Sequence, residues 1–129
     1  MRTAVVDVGI GVSAGSANVS SYIAGQKGRN YKFYAEYSAR KEYMSLHNFL
    51  VKKSYIDMDY LYGELSNSGG ENPLDYAAIA KSPIAFIVVA TEAETGRAKY
   101  FDKSDMRPDQ YDILKAFCSI PFVCHPYVI

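Results

Sequence analysis

The chain has 129 residues, 49% of them hydrophobic, which suits one domain with a real core and is too short for two ordinary ones; residues 1–129 are read as a single domain. Fourteen basic residues balance fourteen acidic ones, so no global field draws the protein toward nucleic acid, which is not an expected partner. The charges are nevertheless sorted. Gln26 to Lys53 carries Lys27, Arg29, Lys32, Arg40, Lys41, Lys52 and Lys53 against Glu36 and Glu42, whereas every charge from Ser54 to Ala80 is acidic. Such a basic run is ordinarily a solvated face, although beside a lipid pocket it would attract anionic head groups in a peripheral membrane contact.

Two cysteines, Cys118 and Cys124, are too few for a disulfide framework, and their spacing suits neither a zinc ribbon nor a thioredoxin-type pair. They read as free buried thiols, in keeping with a cytoplasmic location. His47 and His125 are far apart, with no cluster of further ligands around them, so neither a metal nor a cofactor is expected. No apolar run reaches the roughly 18 residues of a transmembrane segment, and the N-terminus does not resemble a removable leader.

In chain order, Thr3 to Ile10 is rich in valine and bounded by glycine, which predicts a buried strand; the small and apolar residues of Ala14 to Ala24 predict a closely packed helix, stopped by Gly25 and Gly28. A tyrosine-rich region follows, with short helical stripes such as Leu46, Phe49, Leu50 and Ile56, Tyr60, Leu61, Leu65. After the loop "NSGGEN", Asn72 offers an N-cap with Pro73 at the first helical position, and the helix runs to about Lys81 before Ser82-Pro83 ends it. The unbroken apolar run Ile84 to Ala90 predicts a central strand covered on both faces, and Thr95-Gly96 turns it into a hairpin with "RAKYFD". Pro108 opens a last helix with Tyr111, Leu114, Phe117 and Cys118 on one face and Pro121 beyond its end. Strands alternating with helices indicate a layered α/β domain.

The first strand-turn-helix, "VVDVGIGVSAGSANVSS", fits two motifs. Gly9, Gly11 and Ala14 match the dinucleotide fingerprint G-x-G-x-x-G/A, for which Glu36 would supply the ribose-binding acid. The surroundings of Glu36 alternate poorly as a buried parallel strand. Gly11, Ser13 and Gly15 match the nucleophile elbow G-x-S-x-G, which needs a strand, a serine in a strained turn and a helix starting at once. On that reading Ser13 is the nucleophile, Ala14 N–H is an oxyanion donor beside the positive end of the helix, and Gly9 is a strand-end residue. A purely structural strand-to-helix turn remains the alternative.

"GIGVSAGSANVSSYIAGQKGRN" resembles the nucleophile region of the patatin-like phospholipases, particularly their bacterial branch. "FIVVATEAETGRAKYFDKSD" resembles that family's central strand and hairpin, and "ILKAFCSIPFVCHPYVI" its helix running into a Ser-x-Pro turn. The resemblance implies a three-layer α/β/α sandwich and a serine acyl hydrolase, in which Ser13 attacks the carbonyl of a lipid or small ester substrate with a Ser-Asp dyad and no cofactor.

The family's glycine-rich oxyanion loop precedes the elbow and its catalytic Asp-Gly motif follows "CSIP"; neither pattern occurs in these 129 residues. The chain therefore resembles the middle of such a domain, truncated at both ends. Asp102 and Asp105 belong to the hairpin region and read as turn carboxylates, so little esterase activity is expected. Exposed sheet edges would favour a homo-oligomer. A non-catalytic binding or scaffold role, with the elbow kept as a structural turn, is the second reading. If a ligand binds, Tyr55, Tyr60 and Tyr62, near Met58 and Leu61, are the first residues to test.

Overall fold

In a computed structural model, which describes residues 5–119, 123, 124 and 127, the sheet is organised by two side chains that solvent hardly reaches, Phe86 and Val88. They lie on β2 (Ala85–Thr91), the middle strand of three. β1 (Val8–Val12) pairs with β2 in parallel, with Gly9 opposite Phe86 and Gly11 opposite Val88. β3 (Ala98–Asp102) returns antiparallel, placing Phe101 opposite Val88, so the expected hairpin is present. The protein is thus α/β with a small mixed sheet.

Five short helices accompany it: α1 (Ala14–Ile23), α2 (Arg29–Ala35), α3 (Leu46–Lys52), α4 (Tyr76–Lys81) and α5 (Asp112–Cys118). A π-helical turn, Asp59–Leu65, and two 3-10 turns, Tyr37–Ala39 and Lys103–Asp105, complete the described elements. Helices α1 and α5 pack on β2, and Phe117 of α5 meets Phe101 with ring centroids 5.2 Å apart. No described helix is long and apolar enough to cross a membrane.

The approach of α1 to β1 is close because both surfaces are nearly bare. A Cβ on Gly9 would lie 2.6 Å from Val19 Cγ1, and one on Gly11 would lie 2.4 Å from Ser16 Cα. On the helix side the buried positions are Ser16, Ser20, Ser21 and Ile23, three of them small. Gly9 therefore serves helix-strand packing. Gly15 differs, since nothing lies within 4 Å of a Cβ placed there.

Several boundaries differ from the sequence reading. β1 starts at Val8 and reaches Val12, because the bonding partners on β2 extend to Val89; Thr3 and Ala4 lie outside the described residues. Helix α4 begins after Asp75, whose carboxylate accepts from Ala78 N at 2.9 Å, and not at Asn72-Pro73. Asn72 N and Leu74 N instead donate to Leu65 O and Ser66 O, holding that segment against the end of the π turn. Pro108 does not open α5. Asp109 adopts a left-handed φ of 57° within a tight turn, and the helix starts at Asp112 with Tyr111 buried at its cap.

The stripe Leu46, Phe49, Leu50 falls on α3 as expected but faces solvent, and α3 is held by buried Asn48, which donates to Lys41 O and Glu42 O. The second stripe does bury Leu61 and Leu65, on the π turn.

β2 is covered well on one face only. Val8, Ile10 and Val12 are 47%, 60% and 62% exposed on the opposite face, where Ile87 and Val89 are half-buried. The basic run is not a uniform solvated face either. Arg40 pairs with Glu71, Lys52 pairs with buried Asp57, and Arg29 is buried, so two basic residues meet the acidic segment that follows them.

The packing separates the two motif glycines. Gly11→Ala collides with backbone and is expected to destabilise the fold by about 1–3 kcal/mol or more, whereas Gly15→Ala, inside a helix with open space, should be neutral or stabilise by up to about 1 kcal/mol. Urea denaturation midpoints of the two variants check this; equal losses would contradict the assigned approach of α1 to β1.

Candidate active site

Ser13 stands between the last residue of β1 and the first of α1, in the N-cap position. An N-cap serine ordinarily takes an extended backbone and accepts a hydrogen bond from the amide two or three residues on. Ser45, which caps α3, does this with φ −162° and ψ 154°, its side chain accepting from Asn48 N at 3.0 Å. Ser13 has φ 53° and ψ −135°, and its side chain makes no capping bond. A positive φ in a residue with a Cβ costs on the order of 1–3 kcal/mol. Here the cost gains no cap: Ser13 is exposed, and its hydroxyl has no hydrogen-bond partner among the described residues.

The strained peptide is held from its carbonyl side. Ser13 O accepts from Ser16 N at 2.9 Å and from the Cys118 thiol at 3.6 Å. Cys118 in turn is 3.3 Å from the Tyr62 hydroxyl. Burial pushes the Cys118 thiol upward, and burial first, then Cys118, pushes the Tyr62 phenol well above its usual range, so both stay protonated at neutral pH. Cys118 and Cys124 are both buried, as expected.

Ala14 supplies one of the helix-start amides that lack an intrahelical acceptor, and no acidic residue in the first turn of α1 offsets the partial positive charge there. Ser13 and Ala14 open onto a cavity of about 140 Å³. Phe33, Tyr34, Tyr43, Ile56, Met58 and Leu61 supply most of its apolar wall, with Arg29, Asn30, Tyr62, Ser66 and Cys118 among its polar groups. Burial raises the Tyr43 phenol to about 12. A larger depression of about 370 Å³ is lined by residues between Asn18 and Tyr31, so the smaller cavity is the one beside Ser13.

The sequence-predicted site is therefore assembled in part. Gly11, Ser13 and Ala14 occupy their elbow positions, while Gly15 has no neighbour that demands a glycine. Of the tyrosines named as the first to test if a ligand binds, Tyr62 lines the cavity; Tyr60 accepts from Arg40 and Tyr55 is exposed. Glu36 is an exposed residue at the end of α2, not the end of a parallel strand, which removes the geometry a dinucleotide ribose needs.

Asp102 and Asp105 form a reciprocal capping box around Lys103–Asp105, so they are turn carboxylates. His47 is exposed on α3, and His125 lies outside the described residues. Among the described residues, no group of three or more metal-ligating side chains occurs.

Sequence reasoning missed Arg29, which it counted within a solvated basic run. Arg29 is 5% exposed and reaches Ser66 Oγ at 2.7 Å and Asn72 O at 3.1 Å. The signal was its position straight after Gly28, in a left-handed turn that ends the excursion from α1 and starts α2. The Tyr62–Cys118–Ser13 contact has no sequence signal, since it joins residues 56 and 105 positions apart.

Comparison with family models, curated proteins and solved structures finds no match to this chain.

If the turn at Ser13 is strained, Ser13→Gly should raise stability relative to Ser13→Ala by roughly 1 kcal/mol, because only glycine adopts this backbone without cost. Paired chemical denaturation curves measure the difference; Ser13→Ala equal to or more stable than Ser13→Gly would contradict the strain.

Proposed function

We propose that this chain carries the nucleophile side of a serine acyl hydrolase site acting on lipid or small esters, of the patatin-like kind. One observation carries the reading: Ser13 occupies an N-cap in a costly backbone conformation without using its hydroxyl as a cap. A structural turn would exploit the cheaper geometry of Ser45. Ser13 instead lines a largely apolar cavity with its hydroxyl uncapped, next to the unpaired Ala14 amide, where a tetrahedral oxyanion would accept a hydrogen bond. Attack on the ester carbonyl would give an acyl-enzyme and release the alcohol; water would then release the acid.

The three-layer sandwich belongs to the same proposal. The uncovered sheet face of Val8, Ile10 and Val12 is of the apolar kind that a second helical layer covers. The proposal also includes a state of low activation, because no carboxylate or imidazole among the described residues bonds the Ser13 hydroxyl, and an alcohol without a base is a poor nucleophile. Hydrogen bonding to a carboxylate alone does not define a dyad. Ser68 and Ser104 each donate to one at 2.6 Å, to Asp109 and Asp102, yet both pairs sit in exposed turns.

A reactive fluorophosphonate, applied at excess over hours and mapped by mass spectrometry, tests this. The expected result is one adduct on Ser13, slower than that of an activated hydrolase, with Ser68 and Ser104 unmodified and p-nitrophenyl butyrate turnover at background. No adduct on Ser13, or equal labelling of all three serines, would favour the scaffold reading. Fast ester turnover abolished by Ser13→Ala would overturn the low activation.

A further inference from the structure

Arg29 is a buried cation whose contacts are all neutral. Its guanidinium donates to Ser21 Oγ at 3.4 Å, Ser66 Oγ at 2.7 Å and Asn72 O at 3.1 Å, and lies 4.7 Å from the centroid of the Phe33 ring. These bonds use three of the five N–H groups that an arginine carries. Nε is buried and has no partner among the described residues. The ion pairs found among the described residues join Arg40, Lys52, Lys99 and Lys115 to carboxylates, and none involves Arg29.

The groups whose fields reach Arg29 are Tyr62, Tyr111, Tyr37 and Tyr76. Each phenol is itself pushed upward, first by burial, and stays neutral at pH 7, so none of them is a counter-charge. Burial lowers the proton affinity of Arg29, but a guanidinium starts so high that it remains charged. A buried charge without a partner is unfavourable, and a bound anion would relieve it.

Arg29 is one of the residues lining the Ser13 cavity, together with Phe33, Ile56, Met58 and Leu61. The cavity, at about 140 Å³, is close to the size of an engineered apolar cavity that holds benzene, ~150 Å³. One cation without a counter-charge, set among apolar side chains, suits a monoanion with a compact apolar body. It suits a phosphate dianion less well, because a single cation leaves one of its two charges uncompensated among apolar side chains.

We infer that the cavity is a carboxylate-selective site for a small monocarboxylate with an apolar body, its charge held by Arg29. The inference rests on the hydrolase reading in taking this as the acyl cavity, since the acid released from an ester has this chemistry; the binding itself needs no nucleophile.

The test uses the full chain carrying Ser13→Ala, with benzoate and its neutral isostere benzamide as probes, followed by proton–nitrogen NMR at low ionic strength. Benzoate is expected to shift the Arg29 Nε–H resonance and to bind at least tenfold more tightly than benzamide. Arg29→Met should abolish that preference, and Arg29→Lys should keep part of it. Equal affinity for the two probes, no response of Arg29, or a preference that survives in Arg29→Met would overturn the inference. If Arg29→Met does not fold, the Nε–H response and the benzoate-to-benzamide ratio in the arginine-containing protein decide.

The outcome is separable from that of the hydrolase reading. Benzoate selectivity without a phosphonate adduct on Ser13 leaves a carboxylate-binding domain, and the converse removes only the anion site.

Discussion

The nearness of α1 to β1 governs the rest of the structure. A helix that follows a strand with a single intervening residue must reverse direction sharply, and it can settle on the sheet only if neither surface carries bulk at the crossing. Gly9 and Gly11 clear the strand, and Ser16 and Ser20 keep the buried face of the helix shallow. The reversal falls on Ser13, whose positive φ is the local cost of that closeness. A strained residue persists only where its surroundings over-determine it. Ser16 N and the Cys118 thiol do so, fixing the Ser13 carbonyl from α1 and α5.

The same compactness shapes the cavity beside the turn. Helix α2 and the π turn bring Phe33, Leu61 and Tyr62 to the cavity that Ser13 lines, and α5 brings Cys118 to it, against the Tyr62 hydroxyl. The polar groups among them are either satisfied in neutral networks or, for Arg29, left with an unused donor. A site with one free hydroxyl, one unpaired helix amide and one uncompensated cation in an apolar wall has a definite polarity. It suits a ligand with negative charge at one end and hydrocarbon at the other.

The legible part of the fold was the part fixed by local rules. The valine-glycine strand, the following helix, the Thr95-Gly96 hairpin and the apolar face of α5 all follow from periodicity and turn chemistry, and each is present. Helix starts were less legible. Pro73 and Pro108 have the right backbone for a first turn, but backbone bonds to Leu65 and Ser66, and the left-handed turn at Asp109, delay the helices to Tyr76 and Asp112. The exposed stripe of α3 shows the converse: a helical period gives the face that could be buried, and only the tertiary packing decides whether it is. At the site, G-x-S-x-G located Ser13 and Ala14. Arg29, Tyr62 and Cys118 arrive through contacts between distant segments, to which residue spacing is blind.

In the proposed site, strain at Ser13 would present its hydroxyl and the Ala14 amide to one reacting atom. A crystal structure of the chain with a phosphonate bound covalently to Ser13 tests it most directly. The account predicts that Ser13 keeps its positive φ and that a phosphonyl oxygen accepts from Ala14 N–H within about 2.7–3.1 Å, the range expected of an oxyanion donor. A Ser13 relaxed to negative φ, or a phosphonyl group turned away from Ala14 into solvent, would contradict it.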